Sequence, residues 1–272
     1  MTRAAAAGII CTGETTENRM STLDLDLHMA SRPGWARRAW NGLQLAFTLA
    51  WTAGLITLAL IVRVLTLGQR WPLRMAARCW APGLLGGAGA MLVVEGADRI
   101  DWSKPCILAS NHQSIIDICV LFRAVPVPLR FVLKQEMTRV PFVGWYAKAT
   151  GMVFIDRGKA RDAQRNLLAI ADRLRGGQHL CVFPEGTRSR DGQVGTFKSG
   201  PFQLAIQAGV PVVPVAMEGT GHVVPPHGFE VRPGTIRVRF GTPIPTDQLV
   251  VRDRQTLARQ AHDAVVSLLQ RG

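Results

Sequence analysis

At 272 residues the chain suits one sizeable domain with an attachment segment, and about 200 residues suffice to bury a core. Lys and Arg total 32 against 19 Asp and Glu, a formal charge of +13, which favours a polyanionic partner: nucleic acid, an anionic lipid surface or a phosphorylated substrate. The five cysteines (Cys11, Cys79, Cys106, Cys119 and Cys181) contain no C-x-x-C pair, so the expectation is a reducing compartment, with no disulfide framework and no zinc site.

Residues 1–34 mix small and polar side chains without a sustained period and read as a disordered extension. Between Ser31 and Trp80 there is no acidic residue, yet Arg32, Arg37, Arg38, Arg63, Arg70, Arg74 and Arg78 all fall there. They bracket residues 42–62, an uncharged apolar run that at ~1.5 Å per residue covers the ~30 Å hydrocarbon layer. A buried core helix can also be apolar all round, but arginines on both flanks favour a membrane. The run begins too far into the chain, and is too long, for a cleaved signal peptide. Residues 71–85 add a basic, apolar stretch broken by Pro82 and Gly83, which suits an interfacial segment or a short hairpin arm. Residues 35–90 therefore read as a membrane-anchoring segment and residues 91–272 as a catalytic domain.

From Met91 onward, short apolar runs alternate with helical patterns. Strands are expected at 91–95, 106–110, 130–133, 152–155, 180–183, 212–216 and 236–240. Helices are expected at 160–175, ending at Gly176-Gly177, at 200–208, ending at Gly209, and at 252–269. The alternation predicts an α/β fold: a mixed, mostly parallel sheet covered by helices, with an N-terminal membrane helix or helical hairpin.

The segment Asn111-His112-Gln113-Ser114-Ile115-Ile116-Asp117 follows a predicted strand directly, where α/β sheets place their sites. On a continuous helix, residues five apart point ~140° away from each other. His112 and Asp117 meet only if the histidine lies in the loop and the carboxylate in the first helical turn. Spacing leaves two readings open. In one, Ser114 caps the helix and Asp117 sits at its positive end, with His112 idle. In the other, Asp117 fixes the imidazole tautomer so that the second ring nitrogen accepts a proton from an attacking hydroxyl. Ser114 as an acyl-enzyme nucleophile is disfavoured, because no strained G-x-S-x-G elbow surrounds it.

Phe183-Pro184-Glu185-Gly186-Thr187-Arg188-Ser189 ends another predicted strand. The Glu-Gly step favours a sharp turn, and Arg188 near the sheet's carboxyl edge suits bidentate binding of a phosphate. The alternative is a plain surface turn with a solvated arginine. The Gly-Lys-Ser/Thr ending of a phosphate-binding Walker loop is missing.

These two segments, with Gly151-Met152-Val153-Phe154-Ile155-Asp156-Arg157 and Val210-Pro211-Val212-Val213-Pro214-Val215, resemble the four ordered blocks of the 1-acylglycerol-3-phosphate acyltransferase family. The likeness spans residues 90 to 245, and Lys134-Gln135-Glu136 resembles the family's lysine-containing segment between the first two blocks. The resemblance implies His112 as general base, Asp117 as its orienting partner, and Arg157 and Arg188, with Lys134, as ligands of the acceptor's phosphate. It implies that Glu185, Gly186 and Thr187 contribute to the acceptor site and that residues 210–215 form part of an acyl-binding wall. It further implies no metal, no cofactor beyond an acyl-CoA or acyl carrier protein co-substrate, and no acyl-enzyme. The expected reaction acylates the sn-2 hydroxyl of lysophosphatidic acid to give phosphatidic acid. The expected partners are lysophosphatidic acid, an acyl thioester, its carrier protein and the bilayer, without nucleic acid. The expected location is the membrane, with the catalytic domain facing the cytoplasm (the inner membrane in a bacterium).

Rival readings keep the chemistry and change the acceptor to glycerol-3-phosphate, another lysophospholipid or a lyso-ornithine lipid, or make the protein a thioester hydrolase. A basic membrane-surface or nucleic-acid-binding protein is the non-enzyme alternative. Nucleic-acid binding would call for a basic stripe interleaved with aromatics, whereas the chain has one tyrosine and its tryptophans cluster near the apolar run.

Overall fold

The structure, a computed structural model, describes residues 34–155 and 160–271. Residues 1–33 of the predicted disordered extension, Asp156 and Arg157 lie outside the described residues, while Gly34 already belongs to a helix. Among the described residues, seven strands form one sheet in the order β1-β7-β6-β2-β5-β3-β4. They are β1 (Ala90–Glu95), β2 (Ile107–Ser110), β3 (Leu129–Lys134), β4 (Val153–Ile155), β5 (His179–Val182), β6 (Val212–Glu218) and β7 (Gly234–Phe240). Every neighbouring pair is parallel except β6–β7, as expected for a mixed, mostly parallel sheet. Every predicted strand is present within two residues at either end.

The central strands are buried on both faces, which is why they read as continuous apolar runs. Along β2, Leu108 joins the core on one face, while Ile107 and Ala109 join the core on the other. The first core receives α2 (Arg70–Met75), the π-helical turn Ala76–Trp80, α3 (Ala81–Gly87) and α4 (Asp117–Ala124). Between the core helices of that face and β4 comes α5 (Val143–Ala149). The second core receives α6 (Ala160–Arg175), α7 (Gly200–Ala208) and, after the short α8 (Thr220–Val223), α9 (Arg254–Leu269). α6 and α7 have the predicted bounds, and α9 starts two residues later than predicted, after a 3-10 turn at Val251–Asp253.

The apolar run lies within α1 (Gly34–Thr66), 33 residues and therefore ~50 Å long. Among the described residues it is the one helix long and apolar enough to cross a membrane. It runs along the protein body for much of its length. Asn41 Oδ1 accepts from Val231 N at 3.5 Å, Gln44 Nε2 donates to Gly87 O at 2.7 Å, and Arg63 Nε donates to Ala149 O at 3.2 Å. The second apolar stretch returns antiparallel to it: Trp51 Nε1 donates to Trp80 O, and Trp80 Nε1 donates to Thr52 Oγ1.

Pro82 and Gly83 do not break this return arm, contrary to the sequence expectation. Pro82 follows directly on the π-helical turn, where the shifted bonding lets a helix pass a residue that has no N–H to donate. Gly83 is a packing point: a Cβ there would come within 2.4 Å of the Trp51 indole. Three guanidinium groups hold the C-terminal end of α5. Arg63 donates to the carbonyl of Ala149, Arg130 to that of Thr150 and Arg173 to that of Gly151. They come from α1, β3 and α6, so the apolar helix, the sheet and the second layer converge on one turn.

Candidate active site

β2 and β5 are parallel neighbours, and the chain leaves their carboxyl ends toward opposite faces of the sheet. β2 leads into α4 in the first core, whereas β5 leads through a long loop to α7 in the second. Such a divergence opens a crevice at the strand ends. Both candidate motifs border it.

Asn111 continues β2 by side chain instead of backbone. Its amide donates to Met217 O at 2.9 Å and accepts from Met217 N at 2.8 Å, locking the end of β2 to β6. His112 then lies in the loop, and Asp117 is the first residue of α4. The two meet: His112 Nδ1 and Asp117 Oδ2 are 2.7 Å apart. The same oxygen accepts Gln113 N at 2.8 Å and Ser114 N at 2.9 Å. Asp117 is fully buried at a helix N-terminus, where the aligned peptide dipoles favour its negative charge.

An ionised carboxylate only accepts, so the shared proton sits on Nδ1 and Nε2 keeps a free lone pair. The imidazole lies flat on Phe183, with centroids 4.0 Å apart and planes 15° apart. Its side chain is 18% exposed, open enough to meet a substrate. This arrangement can draw a proton from a hydroxyl.

Ser114 braces the start of α4 with its side chain, its Oγ accepting Ile116 N at 3.3 Å. Its hydroxyl is buried and donates to Val224 O at 2.6 Å, away from any role as nucleophile. Both halves of the capping reading are present, since Ser114 Oγ and Asp117 each hold N–H groups at the helix start, and Asp117 also holds the imidazole.

Glu185 is buried and bridges two loops. One carboxylate oxygen accepts His112 N at 2.8 Å, and the other accepts Gly195 N at 2.9 Å. Burial raises its pKa, and the two backbone N–H bonds partly offset that shift. Ser189 N donates to His112 O at 2.7 Å, so the second motif grips both backbone polar groups of His112. Gly186 adopts φ +73° in the turn between them, a conformation that favours glycine. Thr187 and Arg188 are exposed beyond that turn, and Lys134 is exposed at the carboxyl end of β3, beside β5.

Residues 210–215 do not line the apolar cavity beside the His112 loop. They enter and run along β6 in the middle of the sheet, where Val210, Val212, Val213 and Val215 are buried in the cores. That cavity, of about 410 Å³, lies between α1, the return arm and the His112 loop. Ile56, Trp80, Ile115, Phe131 and Ala147 are among its lining residues. Phe131 stacks on Phe183, which stacks on His112, so two ring contacts connect the cavity wall to the imidazole.

Sequence reasoning gave no role to Asn111 or Phe183, although both stand inside the quoted motifs. The signal for Asn111 was a polar residue directly after an apolar strand, where a side-chain amide can mimic the ladder.

A family model described as Acyltransferase matches residues 91–218. The chain is 33% identical over 199 residues to the 1-acyl-sn-glycerol-3-phosphate acyltransferase of Saccharomyces cerevisiae, covering 72% of this chain and 65% of that protein. It is 39% identical over 155 residues to the Pseudomonas aeruginosa protein of the same name, covering 57% and 59%. The chain thus spans less than two thirds of these relatives' length. The crystal structure of the 1-acyl-sn-glycerophosphate acyltransferase PlsC from Thermotoga maritima superposes with a TM-score of 0.70 at 25% identity, covering 86% of this chain and 96% of that one. Matching fold, matching blocks and the paired histidine and carboxylate agree: the chain belongs to the acyltransferase family that includes the 1-acyl-sn-glycerol-3-phosphate acyltransferases.

Proposed function

We propose that this protein transfers a fatty acyl group from an acyl thioester to the sn-2 hydroxyl of 1-acylglycerol-3-phosphate, giving phosphatidic acid. The observation that carries the reading is the 2.7 Å contact between His112 and a buried Asp117 beside an apolar cavity. His112 Nε2 takes the acceptor's proton as its oxygen attacks the thioester carbonyl, and the thiolate departs once the tetrahedral adduct collapses. Asp117 holds the ring and stabilises the imidazolium that forms. No acyl-enzyme is needed, because one base serves direct transfer when both substrates are held together.

Arg188 and Arg157, with Lys134, bind the acceptor's phosphate in this reading, while Thr187 and Gly186 shape the turn that presents it. Glu185 acts at one remove, by fixing the His112 backbone. The cavity takes one of the two fatty chains in the reaction, and its volume falls within the ~300–1,000 Å³ usual for ligand pockets. The donor is acyl-CoA or acyl carrier protein, and no metal or further cofactor takes part.

The apolar outer face of α1 attaches the enzyme to the bilayer, with the catalytic domain on the cytoplasmic side, where its arginine-rich flanks favour it. Because α1 contacts the body from Asn41 to Arg63, the helix and its return arm lie together in one leaflet and do not cross it alone.

The test is the purified protein with an acyl thioester and lysophosphatidic acid, scored for phosphatidic acid. Thioester consumption that does not depend on an acceptor would make the protein a hydrolase, and preference for a phosphate-free acceptor would remove the role of the arginines. Arg188→Ala should raise the acceptor KM roughly 10- to 100-fold, the loss of one charge-assisted phosphate contact of about 1.5–3 kcal/mol. A rise confined to the donor KM contradicts the assignment. Ala147→Leu adds methyl groups inside the cavity and should shift the preferred chain to shorter acids, at about 0.8 kcal/mol or fourfold per methylene excluded. Chain-length profiles run separately for donor and acceptor identify which chain the cavity holds, and two unchanged profiles exclude both.

A further inference from the structure

α5 is apolar on both of its faces, and only one is used by the fold. Val143, Tyr146 and Ala147 line the inner cavity, and the Tyr146 hydroxyl donates to Pro72 O of the return arm at 3.1 Å. The opposite face carries Phe142 just before the helix, then Trp145 and Lys148, at helical spacing of three. Trp145 is 53% exposed and Phe142 37%, with ring centroids 5.2 Å apart. Neither ring belongs to a core cluster.

The turn that presents these rings is rigid and strained. Phe142 has φ +59°, a region a bulky side chain avoids at a cost of order 1–3 kcal/mol. Backbone bonds fix it there: Val143 N donates to Pro141 O, Gly144 N to Val140 O and Tyr146 N to Phe142 O. Gly144 lies so close to the preceding turn that a Cβ would come within 2.5 Å of Thr138 O. The fold thus tolerates strain at a position that holds an aromatic ring outward.

The exposed rings continue the outer face of α1. Ile61, Val64 and Leu65 of that helix, with Phe142 and Trp145, line an open apolar groove of about 530 Å³. The surroundings are cationic. No acidic residue occurs from Ser31 to Val94, and Glu136 is the one acid between Asp117 and Asp156, against the exposed Lys134, Arg139 and Lys148. A tryptophan beside an exposed lysine matches the water–lipid boundary, where the ring enters the headgroup layer and the ammonium stays at its phosphates.

We propose that the Val140–Lys148 turn and helix is a second membrane-contact element, carried by the catalytic domain itself, which seats Phe142 and Trp145 in the same anionic bilayer leaflet as the outer face of α1. The proposal rests on the membrane reading of α1 and goes beyond it by fixing how the domain is oriented on the surface. Two contacts on different elements define a plane, where a single helix would leave the body free to roll about its axis.

The test uses the full chain on vesicles of phosphatidylcholine and phosphatidylglycerol. In a Cys11→Ser, Cys79→Ser background, one nitroxide label is placed by Trp145→Cys, by Phe142→Cys, by Ile61→Cys on α1, or by Asp263→Cys on the exposed side of α9. Cys106, Cys119 and Cys181 are buried and stay unlabelled. Collision rates with oxygen, which partitions into lipid, and with a water-soluble nickel chelate report the surroundings of each label. The expected result is an oxygen-to-chelate ratio severalfold higher at 145, 142 and 61 than at 263. A lipid-like ratio at 61 with water-like ratios at 142 and 145 overturns the second contact and leaves the α1 attachment standing. Water-like ratios at all positions overturn both. Equal embedding in phosphatidylcholine alone overturns the anionic part of the proposal.

Discussion

Replacement of His112 by alanine is expected to lower the acyl-transfer rate by about 10²–10⁴-fold, the usual contribution of a positioned general base, with little change in melting temperature. The contacts of this residue divide cleanly. Its backbone N–H and carbonyl hold Glu185 and Ser189, and alanine keeps both bonds. Its ring contributes one stack on Phe183 and one bond to Asp117, which retains two other donors. The imidazole therefore serves the chemistry more than the fold. Steady-state rates with lysophosphatidic acid, alongside a thermal melt, check this, and retention of about a tenth of the activity would remove the base from the mechanism.

Asp117→Asn separates the two readings that spacing left open. The amide oxygen can still accept Gln113 N and Ser114 N, so a carboxylate that merely organised the helix start would be replaced at a cost of about 1–3 kcal/mol in stability. Support of the imidazole is lost either way. A neutral amide oxygen no longer stabilises the imidazolium, and an amide turned about presents N–H to Nδ1, moves the ring proton to Nε2 and leaves no base. The expected outcome is a fall in kcat of about 10²–10⁴-fold at nearly constant acceptor KM. Unchanged turnover with a lowered melting temperature would leave Asp117 a structural residue only.

The strands were legible because β2, β5 and β6 are buried on both faces and so spell uninterrupted apolar runs. α4 was harder to delimit. Its sequence, DICVLFRA, is a short and largely buried apolar run, a length at which strand and helix are hard to tell apart. α5 escaped notice because a seven-residue helix with glycine in its first turn and apolar residues on two faces gives no single stripe. In the site, the meeting of His112 and Asp117 could be reasoned from five-residue spacing and a helix start. The bond from Glu185 to the His112 backbone spans 73 residues, and the Asn111 clamp spans 106. Local pattern carries no record of such pairings, so the bonds by which Glu185 braces the His112 loop could not be read from it. Residues 212–216 were legible as a strand, but their central place beside β2 is set by sheet order, which an apolar run does not record.

The three arginines on successive carbonyls at the end of α5 bear on what can be removed from this protein. One of those cations belongs to α1, and Ile56 and Ala59 of the same helix wall the inner cavity. Cutting the chain after Thr66 to obtain a detergent-free catalytic domain would take away a hydrogen-bond donor and one side of a hydrocarbon chamber together. What sequence presents as a detachable tether is a structural partition, and solubility here is better sought by polar substitution along its outer surface than by truncation.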